Sequence, residues 1–338
     1  MGGGDRRRGW RAPRHRESRW RWRNVSGERG DDQAFTNREG PLRLMAITAH
    51  PDDESLGCGG ALARYSHEGV QTSVLSATRG ERGRHGPGEH PGLEAVGRIR
   101  EGELRKAANE LGVREVAFLG YEDGALDQAD PRQVIARIVL HLRRLRPQVV
   151  ITFGPDGAYG HPDHIAISQF ATAAVVCAAD PGYEGAVAGA RLHGKGAGGE
   201  LTWAPEGAGG EERRAHRVSK LYYMASSAET WAIYQETFKT LTSTVDGVVR
   251  QAVPWPDWAI TTRVDAGEWW RQVWWAVQCH RTQMAAYEAL SDLTEEKHRA
   301  LWGNQTFYRV FSTVNGGREV ETDLFQGIRA PVAKGGLP

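Results

Sequence analysis

The chain has few cysteines and no long apolar run. Its 338 residues include three cysteines, Cys58, Cys177 and Cys279, which are widely spaced and form no CxxC pair. This pattern excludes a disulfide framework and does not indicate a zinc finger, so a bound metal would need other ligands. No stretch approaches the ~20 consecutive apolar residues that cross a bilayer, and the arginine-rich N-terminus lacks the apolar run of a secretory signal. We therefore expect no membrane span and a cytoplasmic location.

A strong charge of one sign is also missing. The formal net charge is +1, with 40% hydrophobic and 25% charged residues, which is typical of a globular protein. Residues 1–40 carry a balance of +5 from 11 arginines and 6 acidic residues, and the remainder carries −4. A basic arm can bind nucleic acid, but no helix-turn-helix, RNP or zinc-finger pattern accompanies it. We expect residues 1–40 to be a disordered basic extension and expect no nucleic-acid partner.

Short apolar runs alternate with helical segments from residue 42 onward. The predicted strands are 42–48, 70–76, 113–119, 149–153 and 218–224. The helices predicted between them are 55–67, 92–111, 131–145 and 162–179. Strict alternation of strands and helices predicts parallel pairing with right-handed crossovers. The expected fold is α/β: a Rossmann-like, mostly parallel, doubly wound sheet with helices on both faces.

The pattern predicts a single α/β domain over residues 41–330, with its core at 42–180. Residues 181–217 contain 10 glycines in 37 positions, too many to order readily as helix or strand, which predicts a flexible loop or lid. The C-terminal part, 218–330, begins with a strand and includes a long helix over 268–289. We expect this part to form a smaller extension of the core.

Two polar clusters follow predicted strands. The first strand runs into AHPDDE at 49–54, and the fourth runs, after a glycine-bearing turn, into YGHPDH at 159–164. In a doubly wound sheet of order 3-2-1-4-5, strands one and four are neighbours, and the helices leaving them go to opposite faces. A ligand crevice opens at that point. We therefore expect Asp53 and His164, which are 111 residues apart in sequence, to approach contact distance.

The spacing within the clusters indicates a metal site. His50 and Asp53 are three residues apart, as are His161 and His164, and side chains at i and i+3 share one face. Imidazole and carboxylate groups are good ligands for Zn²⁺, and three protein ligands with an open fourth position are typical of a catalytic site. The spacing alone does not decide which three of these four side chains would be the metal ligands. Asp163 and Glu54 are interpreted as supporting or helix-start residues.

Together the two motifs resemble those of the PIG-L/LmbE-like zinc-dependent de-N-acetylases. This family includes deacetylases of N-acetylglucosaminyl-phosphatidylinositol, of mycothiol and bacillithiol precursors, of chitobiose and of glycopeptide antibiotics. The resemblance covers residues 42–180 closely and the C-terminal part loosely. It implies a zinc-dependent hydrolase that removes an acetyl group from an N-acetylglucosamine-type amino sugar or glycoconjugate. Alternatives within the same fold are an amidase acting on a thiol-sugar conjugate and a non-catalytic metal- or sugar-binding module.

The resemblance also implies roles for individual residues. It implies zinc ligation by His50, Asp53 and His164, with Asp52 as the general base. His161 would be the second acid or oxyanion-stabilising group, Tyr159 would help to hold the tetrahedral intermediate, and Asp123 would bind sugar hydroxyls. The chemistry is consistent, because bound Zn²⁺ lowers the pKa of a water from 15.7 to about 7 and a neighbouring base can then take its proton. Fe²⁺ or another divalent ion stays open as the native metal.

Two loop arginines, one histidine and a group of tryptophans each allow more than one interpretation. Arg79 and Arg82, in the loop after the second strand, either contact substrate or are solvated loop charges. His280, in an H-x-[ST]-Q element that resembles one of the family, either reaches the site or is structural. The tryptophans of the long helix, with Trp255 and Trp258 just before it, could stack on sugar rings, pack in the core, which we favour, or form the interface of a homo-oligomer. The helix itself carries four of them. They are Trp269, Trp270, Trp274 and Trp275.

A glycine cluster at 57–60 follows the first motif. It lacks the third glycine of a dinucleotide fingerprint, and the acidic AHPDDE turn would repel a pyrophosphate. We therefore expect close helix packing here rather than nucleotide binding. The same packing would make Cys58 a small buried residue.

Overall fold

The computed structural model describes residues 40–86, 88–183, 190–192, 201–203, 214–238, 242–245 and 247–329. Residues 1–39 of the predicted N-terminal extension lie outside these ranges. Most of the predicted glycine-rich loop, 181–217, also lies outside them. Within that loop the structure describes a short hairpin of β5 and β6, Ala190–Leu192 and Leu201–Trp203. Among the described residues, no helix has the length and apolarity that a membrane crossing needs.

Seven strands form one mixed sheet. They are β1 (Arg43–Thr48), β2 (Gln71–Thr78), β3 (Glu115–Tyr121), β4 (Val149–Thr152), β7 (Lys220–Met224), β10 (Thr262–Asp265) and β11 (Asn304–Ser312). The order is β10-β11-β7-β4-β1-β2-β3, with parallel pairing from β7 to β3 and antiparallel pairing of β7, β11 and β10. The predicted order 3-2-1-4-5 is confirmed, because β7 is the fifth predicted strand. The two antiparallel strands belong to the C-terminal extension, and a separate hairpin of β8 (Thr242–Val245) and β9 (Val248–Gln251) precedes them.

Helices cover both faces of the sheet. They are α1 (Asp53–His67), α2 (Leu93–Glu110), α3 (Pro131–Leu145), α4 (Gly157–Gly160), α5 (Pro162–Ala178), α6 (Ala228–Phe238), α7 (Trp270–Cys279), α8 (Met284–Tyr287) and α9 (Glu295–Gly303). Alternate residues of β1 point to opposite faces: Leu44 and Ala46 join the core beneath α1, α2 and α7, whereas Met45 and Ile47 join the core beneath α3 and α5. The expected doubly wound arrangement is therefore present.

The predicted helix over 268–289 is wrong in its continuity. A 3₁₀ turn at Gly267–Trp269 leads into α7, which ends at Cys279, and α8 begins only at Met284. The backbone leaves the helical region at His280, whose φ is −80° and ψ is 59°. Side-chain hydrogen bonds of His280, Thr282 and Gln283 to other elements hold this break open.

The glycines at the start of α1 allow close packing, as expected. A Cβ on Gly60 would lie 2.5 Å from the backbone oxygen of Trp302, and one on Gly59 would lie 3.1 Å from Val273. Cys58 between them is fully buried. Its burial raises the pKa of the thiol, so the sulfur acts as a small apolar group.

Candidate active site

The two motifs meet at the carboxyl end of the sheet. β1 pairs with β4 in parallel, so the segments that follow them leave the sheet side by side. His50 Nδ1 lies 3.2 Å from His164 Nε2, although the two residues are 114 positions apart. The convergence that topology predicts for the two motifs is thus present.

The predicted ligands His50, Asp53 and His164 form a compact group. Besides the 3.2 Å between the imidazoles, His164 Nε2 lies 3.4 Å from Asp53 Oδ1, and His50 Nδ1 lies 3.7 Å from Asp53 Oδ2. Ligand atoms about 2.1 Å from a tetrahedral zinc ion are about 3.4 Å from one another. The three side chains therefore fit an ion of this size. Among the described residues, His50, His161 and His164 also offer donor atoms within 4.8 Å of one another, as do His50, Asp123 and Asp163, so His161 remains within reach of the same point.

Hydrogen bonds on the far side of each imidazole turn one nitrogen toward this point. His50 Nε2 lies 3.1 Å from both Asp163 Oδ2 and Asp123 Oδ1, so it carries the proton and leaves Nδ1 as the donor atom for a metal. His164 Nδ1 lies 3.3 Å from the carbonyl oxygen of Gly157, which leaves its Nε2 for a metal. Carboxylates and carbonyls in these positions fix the tautomer of metal-binding histidines.

The charges around the group favour a cation. Burial opposes a charge on His50, but hydrogen bonds to Asp123 and Asp163 outweigh it and raise the pKa of His50 to about 10. Burial raises the pKa of Asp53 to about 7 against the attraction of His50. Burial and the positive charge at His50 hold the pKa of His164 well below its usual value. The buried carboxylates of Asp123 and Asp163 therefore stabilise positive charge at this point, as they would that of a bound divalent cation.

Asp52, the expected base, lies beside this group, and hydrogen bonds hold both its backbone and its carboxylate. Its φ of 111° is strained for a residue with a side chain, and its backbone N–H donates to Glu54 Oε2 at 3.0 Å. Its carboxylate Oδ2 accepts from Arg100 Nη2 at 3.2 Å and from the Tyr287 hydroxyl at 2.8 Å. Asp52 and Asp53 therefore point in different directions, as the expected division of labour requires.

His280 lies behind the site rather than in the cavity. Its Nε2 is 2.9 Å from Glu54 Oε1, and both side chains are fully buried. Burial disfavours the charge on Glu54, but His280 outweighs it and lowers the pKa of the carboxyl. The rest of the element is anchored too, because Thr282 donates to Glu103 and Gln283 donates to the carbonyl oxygen of Arg84. His280 thus contacts the turn that carries His50 and Asp53 through Glu54.

Tyr159 and His161 lie on the cavity side. The ring centroids of His161 and His164 are 4.8 Å apart, and those of Tyr159 and His164 are 5.2 Å apart. The backbone N–H of Asp163 donates to His161 Nδ1 at 3.2 Å, so the ring proton is on Nε2. Burial and the charge of His50 lower the pKa of His161, and burial with nearby Asp53 raises the pKa of Tyr159. Both groups are therefore neutral hydrogen-bond donors at neutral pH.

The three expected substrate contacts differ in their positions. Asp123 and Arg82 line the cavity, and the backbone N–H of Arg82 donates to Asp123 Oδ2 at 2.9 Å. Burial opposes ionisation of Asp123, but His50 outweighs it and lowers the pKa to about 2. Arg79 is not brought to the site: its Nε bonds Glu101 at 2.7 Å and its guanidinium lies over the Phe118 ring. Arg79 does not line the cavity formed by the described residues.

The site opens into a cavity of about 990 Å³. The strand ends supply its polar wall. Later elements supply a more apolar wall, with Met224, Trp231, Tyr234, Trp255 and Tyr287, of which sequence reasoning had considered only Trp255. Trp255 Nε1 donates to Asp156 at 3.3 Å. A volume of this size is at the upper end of small-molecule sites, which allows a ligand larger than one sugar ring.

Some of the missed residues carry a signal in the sequence. Arg100 interrupts an apolar stripe of α2 between Val96 and Leu104, and it is buried. A buried charge on an apolar helix face needs a partner, and here Arg100 donates to the carbonyl oxygens of Gly80 and Pro51 as well as to Asp52. Tyr287 and Trp231 carry no such signal. The preferred core packing is confirmed for Trp270, and Trp269 and Trp274 pack against the same core, but it is wrong for Trp275, which is 49% exposed.

Comparison with protein families and curated relatives agrees with this geometry. Residues 45–175 match the PIG-L family model, described as GlcNAc-PI de-N-acetylase. The chain is 33% identical over 331 residues to the 1D-myo-inositol 2-acetamido-2-deoxy-alpha-D-glucopyranoside deacetylase of Kineococcus radiotolerans. That alignment covers 85% of this chain and 83% of the relative, so the likeness extends well beyond the two motifs.

Solved structures show the same fold. The N,N'-diacetylchitobiose deacetylase of Pyrococcus horikoshii has a TM-score of 0.52 at 18% identity, covering 79% of this chain and 83% of its own. The 4-carboxy-2-hydroxymuconate hydratase of Pseudomonas putida KT2440 has a TM-score of 0.55 at 19% identity, covering 82% and 99%. Since a deacetylase and a hydratase share this architecture, the fold alone does not choose the reaction.

Proposed function

Because the chain belongs to the PIG-L family of de-N-acetylases, we propose that it is a zinc-dependent hydrolase acting on an N-acetylglucosamine-type amino sugar or glycoconjugate. The reaction removes the acetyl group by attack of water on the amide. One observation carries the proposal: His50 Nδ1 and His164 Nε2 lie 3.2 Å apart, and each lies within 3.7 Å of a carboxylate oxygen of Asp53, beside Asp52 in one large cavity.

His50, Asp53 and His164 hold the metal in this proposal. Zinc bound there would act as a Lewis acid and lower the pKa of water from 15.7 to about 7. His50 offers Nδ1 and His164 offers Nε2, as their outer hydrogen bonds require. Two imidazoles and one carboxylate also suit Fe²⁺, so the choice of zinc rests on the family and on the tetrahedral spacing.

Asp52 accepts the proton of the attacking water. Its Oδ2 is occupied by Arg100 and Tyr287, and the described residues make no hydrogen bond to its Oδ1. The latter oxygen is therefore the one that accepts the proton. A general base of this kind contributes about 10²–10⁴ to the rate.

His161 and Tyr159 stabilise the oxygen of the amide as it becomes negative. His161 does this through its Nε2–H, since Nδ1 already accepts from the backbone of Asp163. The hydroxyl of Tyr159 is a second neutral donor on the same side. Loss of one such donor costs about 10²–10³ in rate. Asp123 and Arg82 line the cavity next to the metal group and are proposed to bind sugar hydroxyls. We do not retain Arg79 in this role, because it is paired with Glu101.

The test is acetate release by the full-length chain from N-acetylglucosamine, N,N'-diacetylchitobiose and an N-acetylglucosaminyl inositol. We expect release from at least one of them, loss of activity after treatment with a chelator, and recovery with one equivalent of zinc. The His164→Ala variant should neither retain zinc nor release acetate. A zinc-loaded protein that releases no acetate from any of the three would overturn the proposal.

Two alternatives are less well supported. An amidase for thiol-sugar conjugates is disfavoured because the curated relative is named for an acetamido-sugar substrate. A non-catalytic binding module would need neither Asp52 nor His161, yet both face the cavity. Measurement of zinc content and turnover on one preparation separates the module from the enzyme.

A further inference from the structure

We propose that Tyr287 is a positioning residue for the general base: its hydroxyl fixes the orientation of the Asp52 carboxylate. This inference rests on the proposed function, in which Asp52 takes the proton of the attacking water. The observation behind it is a hydrogen bond of 2.8 Å from the Tyr287 hydroxyl to Asp52 Oδ2, made across 235 residues of sequence.

Asp52 needs such support because little else holds its side chain. The terminal torsion of an aspartate is soft and broadly distributed, so the carboxylate rotates readily unless donors hold it. Arg100 approaches the same oxygen, Oδ2, at 3.2 Å. Two donors on one oxygen leave Oδ1 for the reacting water, which is the arrangement that a base requires.

Tyr287 can act as a fixed point because its segment is anchored to the core. Upstream of α8, His280 is 2.9 Å from Glu54, and Thr282 donates to Glu103 at 2.7 Å. Gln283 donates to the carbonyl oxygen of Arg84 at 2.8 Å. A hydroxyl carried on a segment that is held at three points returns to the same position in each turnover.

The same segment also reaches the backbone of Asp52. Glu54, which pairs with His280 through Oε1, accepts the N–H of Asp52 through Oε2 at 3.0 Å. Asp52 has a φ of 111°, a conformation that persists only where surrounding contacts enforce it. His280 thus supports the backbone of the base and Tyr287 supports its carboxylate. The C-terminal extension thereby completes a site whose metal ligands all come from the core.

Tyr287 also lines the cavity, so a direct contact with substrate is the competing explanation. The two roles differ in kinetics. A residue that binds substrate changes KM, whereas a residue that orients the base changes kcat and acts only when the base is present. A mutant cycle between Tyr287 and Asp52 separates them.

The experiment compares Tyr287→Phe, Asp52→Asn and the double variant with the zinc-loaded wild-type chain. Tyr287→Phe should lower kcat about tenfold, with KM within twofold and zinc content unchanged, because part of the base contribution is lost. In the Asp52→Asn background the same substitution should have no further effect. The control is Tyr223→Phe, which removes a hydroxyl with an equal 2.8 Å bond, to Thr172, and does not line the cavity. Its kcat should stay at the wild-type value.

Three results would overturn the positioning role: an unchanged kcat in Tyr287→Phe, a rise in KM at constant kcat, or an additive loss in the double variant. A wild-type chain that releases no acetate would instead contradict the proposed function itself. The thermal midpoints of Tyr287→Phe and Tyr223→Phe should agree with that of the wild type within about 2 °C, since Phe fills the space of Tyr and each substitution removes one hydrogen bond. A large fall in midpoint for Tyr287→Phe would assign the hydroxyl to stability and would also overturn the inference.

Discussion

At the scale of single residues, Asp163 is the side chain on which the orientation of His50 depends. It is fully buried, and each of its oxygens accepts a backbone N–H, from Gly124 at 2.7 Å and from Leu126 at 3.1 Å. These bonds hold the carboxylate against His50 Nε2. An outer carboxylate that is fixed in this way fixes in turn the nitrogen offered to the metal.

The Asp163→Asn variant should therefore bind zinc about 10–100-fold more weakly, the usual cost of losing an outer-sphere partner. Activity should recover at saturating zinc, because the ligands themselves remain. Zinc affinity is measured by competition with a chromophoric chelator. Asp127→Asn, at an exposed position next to Leu126, is the control and should keep the wild-type zinc affinity. Equal affinities in both variants would exclude the orienting role of Asp163.

Sequence alone predicted the metal group and interpreted Asp163 and Glu54 as supporting or helix-start residues, but it predicted neither the role of Tyr287 nor the partner of His280. His50, Asp53, His161 and His164 stand in short motifs at strand ends, where topology and spacing both point to a site. Tyr287 and His280 meet Asp52 and Glu54 only after the chain has folded over more than 200 residues. A single phenol in the predicted helix over 268–289 has no periodicity that reveals such a partner, which is why Tyr287 was missed.

At the scale of elements, the close approach of α1 to the C-terminal extension depends on Gly60. A Cβ at this position would lie 2.5 Å from the Trp302 backbone oxygen, which cannot move aside as a flexible side chain could. Gly60→Ala should therefore lower the free energy of unfolding by about 1–3 kcal/mol, the range for overpacking a core.

Gly102 provides the matched control for this prediction. It lies within α2, and a Cβ there would meet nothing within 4 Å. Gly102→Ala should raise stability by about 0.5–1 kcal/mol, because alanine is the better helix former. Urea unfolding of both variants measures the difference. Equal and stabilising effects at both positions would contradict the packing described for α1.

The helix predicted over 268–289 shows why element boundaries escaped sequence reasoning. Apolar residues flank the break at helical spacing, with Val277 and Met284 seven positions apart, so the pattern alone gives no reason to end α7 at Cys279. The break arises from polar side chains, His280, Thr282 and Gln283, that bond to distant elements instead of continuing the helix. Their partners belong to the tertiary structure, whereas the strand order followed from alternation alone.

At the scale of the whole molecule, Glu321 ties the C-terminal segment to the sheet. Its fully buried carboxylate accepts from Lys220 on β7, from Tyr222 at 2.6 Å and from Thr262 on β10 at 3.0 Å. Burial opposes ionisation, but Lys220 and the hydrogen bonds outweigh it and lower the pKa of Glu321. The ionised carboxylate therefore joins the two halves of the mixed sheet.

Glu321→Gln should cost about 3–5 kcal/mol at pH 7, because it leaves Lys220 buried without its counter-charge. A lowered pKa in the folded state means that the stabilisation is present above pH ~4.5 and is lost as the pH falls below it. The wild type should therefore lose more stability than the variant between pH 5 and pH 3, as measured by urea unfolding at each pH. Glu319→Gln, at an exposed site nearby, should follow the wild type at every pH. Parallel pH profiles for Glu321→Gln and the wild type would exclude the ion pair as the cause.

Metal binding should stabilise the whole molecule, because the ligands come from two motifs that are joined only by folding. An ion that binds the folded chain at 100 times its Kd adds about 2.7 kcal/mol, or about 5 °C in Tm for a domain of this size. Treatment with a chelator should lower the Tm of the wild type by that amount, and zinc should restore it. The His164→Ala variant should melt at one temperature with and without zinc, while His67→Ala, at an exposed position outside the site, should respond like the wild type. Nε2 of His164 faces both His50 and Asp53. If zinc raised the Tm of His164→Ala as much as that of the wild type, the stabilising zinc would be bound at another site.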